Sequence, residues 1–471
     1  FSPELEQEWR WSERYAQQPE ILRYIRHVVE RFDLRRDILF NTRMADARYD
    51  EAAQQWHVQC EDGRVFKSRT LMLCVGQLST TKQPTFKGQE RYAGTIIHSG
   101  DWPHHPVDFV GKRVAIIGTG SSGMQMTPVI AAKCAHLHVF QRTANFSLPA
   151  RNMPMPEEKE RRHKAEYAAR RAAAMETPFA IGGHPKPTRS ALEVSEDERN
   201  KAYEAKWQEG GSISYLYAYT DLLVNKQSND TASEFARNKI RGIVKDRKTA
   251  ELLAPKDHPI GTKRLCLDTN YYETYNRPNV SLVDVRSDPI AGITATGVRL
   301  ESGATHELDA IVFATGFDAL TGAFDRIDFR GVDGLKLKDK WAHGPLTYLG
   351  IMVEGFPNMM MQMGPHAALG NIPRSIEYNV DFVTDLIRHM RVHGQTRVEC
   401  RPEGVADWTE HVRKLGEGLL SNEIDSWMTG INRNVEGKSE RIVARYSGSA
   451  PAYRERCDAV AADGYREMKI G

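Results

Sequence analysis

The hydrophobic pattern of the first 80 residues predicts one amphipathic helix followed by a small sheet. Apolar residues recur at helical spacing from Pro19, where proline suits a first helical turn because its missing N–H is not needed there. Short extended segments follow, divided by turn residues such as Gly63. The last segment is apolar throughout and ends at Gly76, which indicates a meander that leads into a buried strand. The expected strands are 47–49, 55–60, 64–66 and 71–75.

A second meander is predicted much later in the chain. Extended segments are expected at 280–285, 297–300 and 305–308, and they lead into the apolar run 310–314 before Gly316. Each meander leads into an apolar strand that is followed by a glycine, and this repetition indicates a duplicated architecture.

Between the two meanders lies the clearest α/β signal. Arg113–Ile117, a glycine-rich turn, a helix and the strand His136–Phe140 form one strand–helix–strand unit. Residues from about 153 to 257 are charged and helical, with a candidate capping box at Ser195 and Glu198. A solvated helical insertion that covers a cleft is favoured there over a nucleic-acid-binding patch, because charges of both signs are paired at helical spacing.

Composition excludes several classes of protein. The 471 residues carry 64 Lys and Arg against 62 Asp and Glu, a net charge of +2, which argues against nucleic-acid and membrane-surface partners. The six cysteines are far apart without a CxxC pair, so we expect a reducing, cytoplasmic setting and no metal site. No apolar run reaches the roughly 18 residues that span a bilayer, and no basic-then-apolar leader is present.

A GxGxxG motif connects the strand and helix of the central unit. Gly118 permits the tight turn, Gly120 lets the backbone approach a pyrophosphate, and Gly123 allows close packing of the helix. An NAD site would offer an acidic residue about 20 residues further on, whereas this chain has Arg142, a cation that suits the 2′-phosphate of NADP. A surface ion pair is the alternative for Arg142. The other candidate cofactor-binding residues of this unit are Thr119, Ser121, Ser122, Gln125 and Thr143.

The stretch before this motif carries a more specific pattern. Tyr92, Gly94, His98, Trp102 and Pro103 closely resemble the fingerprint F-x-G-x-x-x-H-x-x-x-W-P of Baeyer–Villiger monooxygenases, class B flavoprotein monooxygenases that insert oxygen beside a ketone carbonyl. The tyrosine in place of phenylalanine is the sole departure and preserves an aromatic ring. A positioning role for the histidine is as plausible as chemistry, so we assign it no proton transfer.

The chain resembles the cyclohexanone-type members of that family along essentially its whole length. The resemblance implies FAD and NADP(H) as cofactors and a small ketone and dioxygen as substrates. NADPH would reduce FAD, dioxygen would add to give a C4a-peroxyflavin, and attack on the ketone would yield an ester or lactone. The further matching stretches are Phe1–Leu5, Gly261–Leu265, Ala314–Asp318, Gly364–Ala368, and Ser426-Trp427 ahead of Gly437-Lys438.

Residue roles follow from the resemblance at matching positions. Arg264 is the candidate catalytic residue, because a guanidinium stays charged and donates several N–H bonds in a fixed fork to the successive anionic oxygens. Lys263 would reach the NADP phosphate, and Trp427 would contact the nicotinamide-ribose side. Gln77 and Met363 would border the cofactors, and the Met44 backbone would meet the adenine end of the flavin. The loop expected to line the ketone pocket comprises His366, Ala367, Ala368 and Leu369.

The resemblance also implies a fold of two dinucleotide-binding, Rossmann-like domains with a helical insertion. The family's first domain has its own GxGxxG and an active-site aspartate, whereas the only GxGxxG here is Gly118–Gly123. Together with the start at Phe1, this predicts that the N-terminal FAD-binding βαβ unit is missing and that the chain holds FAD weakly. The expected division is FAD domain 1–78 and 312–471, NADP domain 79–148 and 259–311, and helical insertion 149–258.

Three other functions are weighed against this one. An N- or S-oxidising flavin monooxygenase is disfavoured by Trp102-Pro103, which that group usually lacks. A non-catalytic NADP-binding module is expected only if the parent gene also lacks the first βαβ unit. A disulfide reductase is disfavoured because there is no CxxC.

Overall fold

The computed structural model describes residues 2–81, 84–431 and 438–471. Its strands in these ranges are β1 (Met44–Asp50), β2 (Gln55–Cys60), β3 (Val65–Ser68), β4 (Leu71–Leu73), β5 (Thr95–His98), β6 (Arg113–Ile117), β7 (His136–Gln141), β8 (Ser147–Pro149), β9 (Cys266–Asp268), β10 (Val280–Asp284), β11 (Ile290–Thr294), β12 (Gly297–Leu300), β13 (Thr305–Glu307), β14 (Ala310–Phe313), β15 (Asp328–Arg330), β16 (Met359–Met361), β17 (Val398–Cys400) and β18 (Met468–Ile470). Its α-helices are α1 (Pro3–Glu8), α2 (Gln18–Arg31), α3 (Ser121–Ala131), α4 (Glu157–Met175), α5 (Glu196–Glu209), α6 (Ser212–Leu216), α7 (Lys226–Ile243), α8 (Arg247–Leu253), α9 (Tyr271–Thr274), α10 (Leu337–Lys340), α11 (Ile372–Val392), α12 (Pro402–Leu415) and α13 (Ala450–Ala462).

A five-stranded parallel sheet carries the glycine-rich turn. Its order is β10-β7-β6-β14-β5, and Ile117 pairs with both Phe140 and Phe313. The inner strands β6 and β14 are almost entirely apolar because both faces of the sheet are covered there, as in other parallel sheets. The predicted strand–helix–strand unit is confirmed as β6, α3 and β7. The domain boundaries stay a prediction, and the one placed between 311 and 312 falls inside β14, a strand of this sheet.

The second meander forms, but with a different first strand from the one expected. The sequence predicted 280–285 as its first segment, and this was wrong, because β10 pairs in parallel with β7 at the edge of the five-stranded sheet. The antiparallel meander is β11-β12-β13. The first strand of this meander, β11, was not predicted because Gly292 interrupts its pattern of extended, apolar residues. The strand register shifts between Ile290 and Gly292, and a Cβ at Gly292 would lie 2.6 Å from the Lys87 carbonyl oxygen. Ile293 and Val298 of the meander pack on the face of the parallel sheet opposite α3.

A second sheet and a helical layer make up the rest of the fold. The first meander is confirmed in the sheet β15-β1-β2-β3, and β4 pairs in parallel with β16. The predicted helix from Pro19 is α2. The helical insertion is confirmed as α4 to α8, and the Ser195 hydroxyl accepts the Glu198 N–H at 3.2 Å to cap α5. None of the helices within the described ranges is long and apolar enough to cross a membrane.

Candidate active site

The glycine-rich turn is shaped by two places where a side chain would not fit. Gly118 has φ of +112°, and a Cβ there would overlap the Ala314 carbonyl oxygen. A Cβ at Gly123 would overlap the carbonyl oxygen of Gly118 itself. The turn therefore packs directly against the end of β14, and α3 starts immediately above it.

Gly120 differs from Gly118 and Gly123 because a Cβ on Gly120 would face open space. No heavy atom lies within 4 Å of a Cβ built there, and no side chain caps the N-terminus of α3. Unpaired N–H groups at a helix N-terminus favour an anion. This open, donor-lined cradle fits the pyrophosphate of a dinucleotide, with Ser122 half-buried and Gln125 exposed beside it. Thr119 is buried, and its hydroxyl donates to the Thr143 carbonyl at 2.8 Å, which fixes the turn after β7.

Two cations converge beside this cradle. Arg142 is exposed directly after β7, and Lys263 is half-buried. Burial lowers the pKa of Lys263, and Arg142 and Arg286 lower it further, while the carboxylate of Asp257 opposes them. Positive charge concentrated at one point suits a phosphate dianion.

The segment that carries Lys263 and Arg264 lies across the N-terminus of α3. Ser121 Oγ is 3.2 Å from Cys266 Sγ, and Asn145 Nδ2 donates to the Arg264 carbonyl at 3.3 Å. The Arg264 side chain is exposed. Cys266 and Asn145 were missed by the sequence analysis, since neither belongs to a recognisable motif.

The fingerprint residues build the edge of the parallel sheet and the connection that leaves it. The Tyr92 hydroxyl donates to the Leu308 carbonyl at 3.0 Å, and a Cβ at Gly94 would overlap that hydroxyl. His98 is buried at the end of β5, where its Nδ1 accepts the Gly100 N–H at 3.1 Å. Burial lowers the pKa of His98 and so favours the neutral ring, while the carboxylate of Asp101 opposes this shift. Trp102 is partly exposed, and its ring lies 6.2 Å from that of Phe109.

Gln77 joins three segments that are distant in sequence. Its Nε2 donates to the Met363 carbonyl at 2.9 Å, and its own carbonyl accepts the Leu320 N–H at 2.9 Å. Nearby, the Thr80 carbonyl accepts the Asp318 N–H at 2.9 Å. The connection that leads from β4 into the parallel sheet is thus bonded to the connection that leaves this sheet after β14, and also to the start of the predicted ketone loop.

Most of the predicted ketone loop is anchored in protein. His366 Nε2 donates to the Val443 carbonyl at 2.8 Å, its Nδ1 is 3.2 Å from Thr347 Oγ1, and burial lowers its pKa. Ala367 and Ala368 are buried as well, whereas Leu369 is half-buried. His366 therefore holds the loop in place, and Leu369 is the member with accessible surface.

Trp427 lies beside the second chain connection. It shares a cavity of about 20 Å³ with Leu320, Thr321 and Lys438. The Lys438 ammonium donates to the Asp318 carboxylate and to Thr321 Oγ1, the latter at 2.8 Å. Gly437 of the matching stretch lies outside the described residues, and Met44 begins β1 in the other sheet, away from the glycine-rich turn.

Comparison with known proteins gives consistent results. The flavin-binding monooxygenase-like family model matches residues 11–151. The chain is 39% identical to 2-oxo-Δ3-4,5,5-trimethylcyclopentenylacetyl-CoA monooxygenase from Pseudomonas putida, over 98% of this chain and 86% of that protein. It is also 39% identical to a Baeyer–Villiger monooxygenase from Pseudooceanicola batsensis, over 99% of this chain and 85% of that protein.

A solved structure agrees with these relatives. The oxidised steroid monooxygenase bound to NADP superposes with a TM-score of 0.94 at 46% identity, over 100% of this chain and 88% of that one. The open cradle at Gly120 and the cations beside it fit the dinucleotide that this relative binds. The chain belongs to the Baeyer–Villiger monooxygenases, FAD- and NADPH-dependent flavoproteins that convert ketones to esters or lactones.

Proposed function

We propose that Arg264 is the residue that stabilises the anionic oxygens formed when a ketone is attacked and rearranges. The supporting observation is the Ser121–Cys266 contact, because it holds the 263–266 segment against the nucleotide cradle. When bound, FAD supplies the activated oxygen derived from dioxygen. Arg264 supplies a permanent charge and several N–H donors in one plane, the arrangement that stabilises a developing oxyanion.

Lys263 and Arg142 bind the phosphate of NADPH in this proposal. Arg142 directly follows β7 and is close enough to Lys263 to lower the pKa of its ammonium, so a phosphate that binds between the two cations would relieve their mutual repulsion. The Gly120 cradle holds the pyrophosphate through the free N–H groups of α3. This division of roles leaves Arg264, the next residue, available for the ketone side.

The ketone pocket is proposed to lie at the 363–369 loop. Gln77 fixes Met363 at the start of this loop, and His366 fixes its middle through Val443. Because these anchors hold the backbone, Leu369 is the proposed contact with the substrate. The partners are a small ketone and dioxygen, and the cellular setting is proposed to be the cytoplasm because all six cysteines are free.

The Arg264→Ala variant tests the assignment directly. With a cyclic ketone, we expect lactone formation to fall by at least a hundredfold, or about 2.7 kcal/mol of barrier. Arg264→Lys restores little, because an ammonium lacks the planar fork. Arg391→Ala on the exposed surface of α11 is the matched control and keeps full activity. Lactone formation within about tenfold of wild type, roughly 1.4 kcal/mol, rejects the role of Arg264.

The product identifies the reaction independently of this residue. Lactone from a cyclic ketone supports the proposed oxygen insertion, whereas N-oxide from a tertiary amine without lactone would favour the N-oxidising alternative. Mass spectrometry distinguishes the two products by their identity, and labelled dioxygen checks that the added oxygen atom comes from dioxygen in either case.

A further inference from the structure

The helical insertion contains a cavity that the proposed reaction does not use. Its volume is about 320 Å³, and it lies between the 184–189 segment, α5 and α6. Alanine, proline and tyrosine side chains form most of its wall. Its polar lining is dominated by basic residues, with neither Asp nor Glu among the lining residues: His184, Lys186, Arg189 and Lys206.

The charges around this cavity are only partly neutralised. Arg189 pairs with Glu198 at 2.7 Å and Lys206 with Glu209 at 2.8 Å, and both carboxylates lie outside the lining. Lys186 is exposed and makes no ion pair with any residue in the described parts of the chain. One ammonium group is therefore available to a ligand, within a positive field from its neighbours.

The lining residue His184 has a ring nitrogen without a hydrogen-bond partner in the described parts of the chain. His184 Nδ1 is buried without a hydrogen-bond partner, and it lies 4.0 Å from Glu209. Burial lowers the pKa of His184, and the neighbouring cations Lys206 and Arg14 act in the same direction, while Glu209 opposes them. A bound anion would give this ring a partner and would favour its protonation.

Two contacts connect the region of the cavity with the candidate active site. The Tyr217 ring stacks on Phe179, with 6.0 Å between centroids, and the Phe179 carbonyl accepts the Asn371 N–H at 2.9 Å just beyond the ketone loop. Leu216, which precedes the lining residue Tyr217 in the chain, packs so closely on Gly261 that a Cβ on Gly261 would lie 2.8 Å from the Leu216 side chain. Gly261 opens the stretch that carries Arg264. The Tyr217–Phe179 pair therefore connects the lining of the cavity to the residues that follow the ketone loop.

We propose that this cavity binds the anionic end of the substrate, so that the preferred substrates are ketones with a carboxylate or phosphate group on an apolar skeleton. The inference rests on the proposed function of the 363–369 loop and deepens it. Apolar walls pack the skeleton, and Lys186 receives the anion. A neutral ketone would leave that ammonium hydrated and would gain nothing from it.

The test compares a cyclic keto acid with its methyl ester, which differ in charge but share the reacting carbonyl. In Lys186→Gln, kcat/KM for the keto acid is expected to fall about tenfold through KM, and the ester is expected to be unaffected. Lys186→Arg restores the keto acid. Lys201→Gln is the matched control, since Lys201 is an exposed lysine of α5 that pairs with Asp197 away from the cavity.

Each remaining outcome has a defined meaning. A keto phosphate with the same skeleton is compared with the keto acid. The better substrate of the two identifies whether the cavity prefers a phosphate or a carboxylate. Equal changes for acid and ester, or no change in Lys186→Gln, overturn the inference. If the wild-type enzyme converts neither ketone, the proposed function fails instead, and calorimetric binding of the keto acid to wild type and Lys186→Gln still decides whether the cavity binds anions.

Discussion

Ser121 Oγ lies 3.2 Å from Cys266 Sγ, although the two residues are 145 positions apart. Ser121 is the first residue of α3, and Cys266 is the first residue of β9. The contact joins the nucleotide cradle to the segment that carries Lys263 and Arg264. Lys263, the proposed cation for the nucleotide, and Arg264, the proposed cation for the ketone, are thereby held side by side in the segment that leads into β9.

Arg142→Ala is expected to raise KM for NADPH about tenfold or more with little change in kcat, because the lost charge binds the 2′-phosphate but does not take part in the reaction. KM for NADH, which lacks that phosphate, should stay the same. Steady-state kinetics with both nucleotides measures this, and Arg299→Ala on β12 serves as the control arginine. An unchanged KM for NADPH would leave Arg142 as a surface residue.

Alanine substitutions at Gly118 and Gly120 are expected to have different effects on stability and on NADPH binding. Gly120→Ala should fold normally and lose NADPH affinity about tenfold, since the methyl group enters the open cradle. Gly118→Ala should lower the free energy of unfolding by about 2 kcal/mol, because it combines a positive φ with overlap on the Ala314 carbonyl. Gly242→Ala within α7, where a Cβ meets open space, is the control. Urea unfolding measures the loss of stability, and nucleotide titration measures the loss of NADPH affinity. If Gly118→Ala lost as much NADPH affinity as Gly120→Ala without any loss of stability, the steric role assigned to Gly118 would be wrong.

Asp268 is expected to make the fold less stable as the pH rises. Burial raises the pKa of its carboxyl to about 6, although the Ser147 hydroxyl and the Tyr271 N–H, at 3.1 Å, donate to it. The folded state therefore holds a proton that the unfolded state releases near its ordinary pKa of 3.8. Stability should fall between about pH 4 and 6 by up to about 3 kcal/mol and then level off.

Asp268→Asn removes this titration and should abolish the decline. Urea unfolding at several pH values measures it. Asp407→Asn, an exposed carboxylate of α12, should retain the wild-type pH dependence. The same slope in Asp268→Asn and wild type would show that other groups control stability in that range.

Lys438→Met is expected to weaken both the fold and the nucleotide site. The Lys438 side chain is only 18% exposed, and its ammonium lies 3.4 Å from Asp325 in addition to its bond with Asp318, so its removal deprives two carboxylates of a cation that pairs with both. The free energy of unfolding should fall by about 2 kcal/mol, and KM for NADPH should rise several-fold because Trp427 loses a neighbour. Adding Asp318→Asn should recover part of the stability. Strictly additive losses in the double variant would mean that the two residues are not coupled.

The sequence alone determined the local units of this protein. The β6–turn–α3 unit was predictable because its glycines, its apolar strand and its helix are adjacent in the chain, and a Cβ at Gly123 would overlap the carbonyl oxygen of Gly118 in the same turn. The fingerprint from Tyr92 to Trp102 identified the family for the same reason. Lys438 was indicated only as part of a matching stretch, and its bond to Asp318 had no local signal.

Only the tertiary structure decided which distant segments meet. The assignment of β10 and β14 to the parallel sheet depends on which apolar faces pair, and short apolar runs are equally suited to either sheet. The neighbours Asn145 and Cys266, the buried Asp268 and the basic cavity at Lys186 arise where segments from different parts of the chain pack together. Hydrophobic burial is not directional, so the pattern along the chain specifies that these residues are buried or exposed, whereas packing specifies their partners.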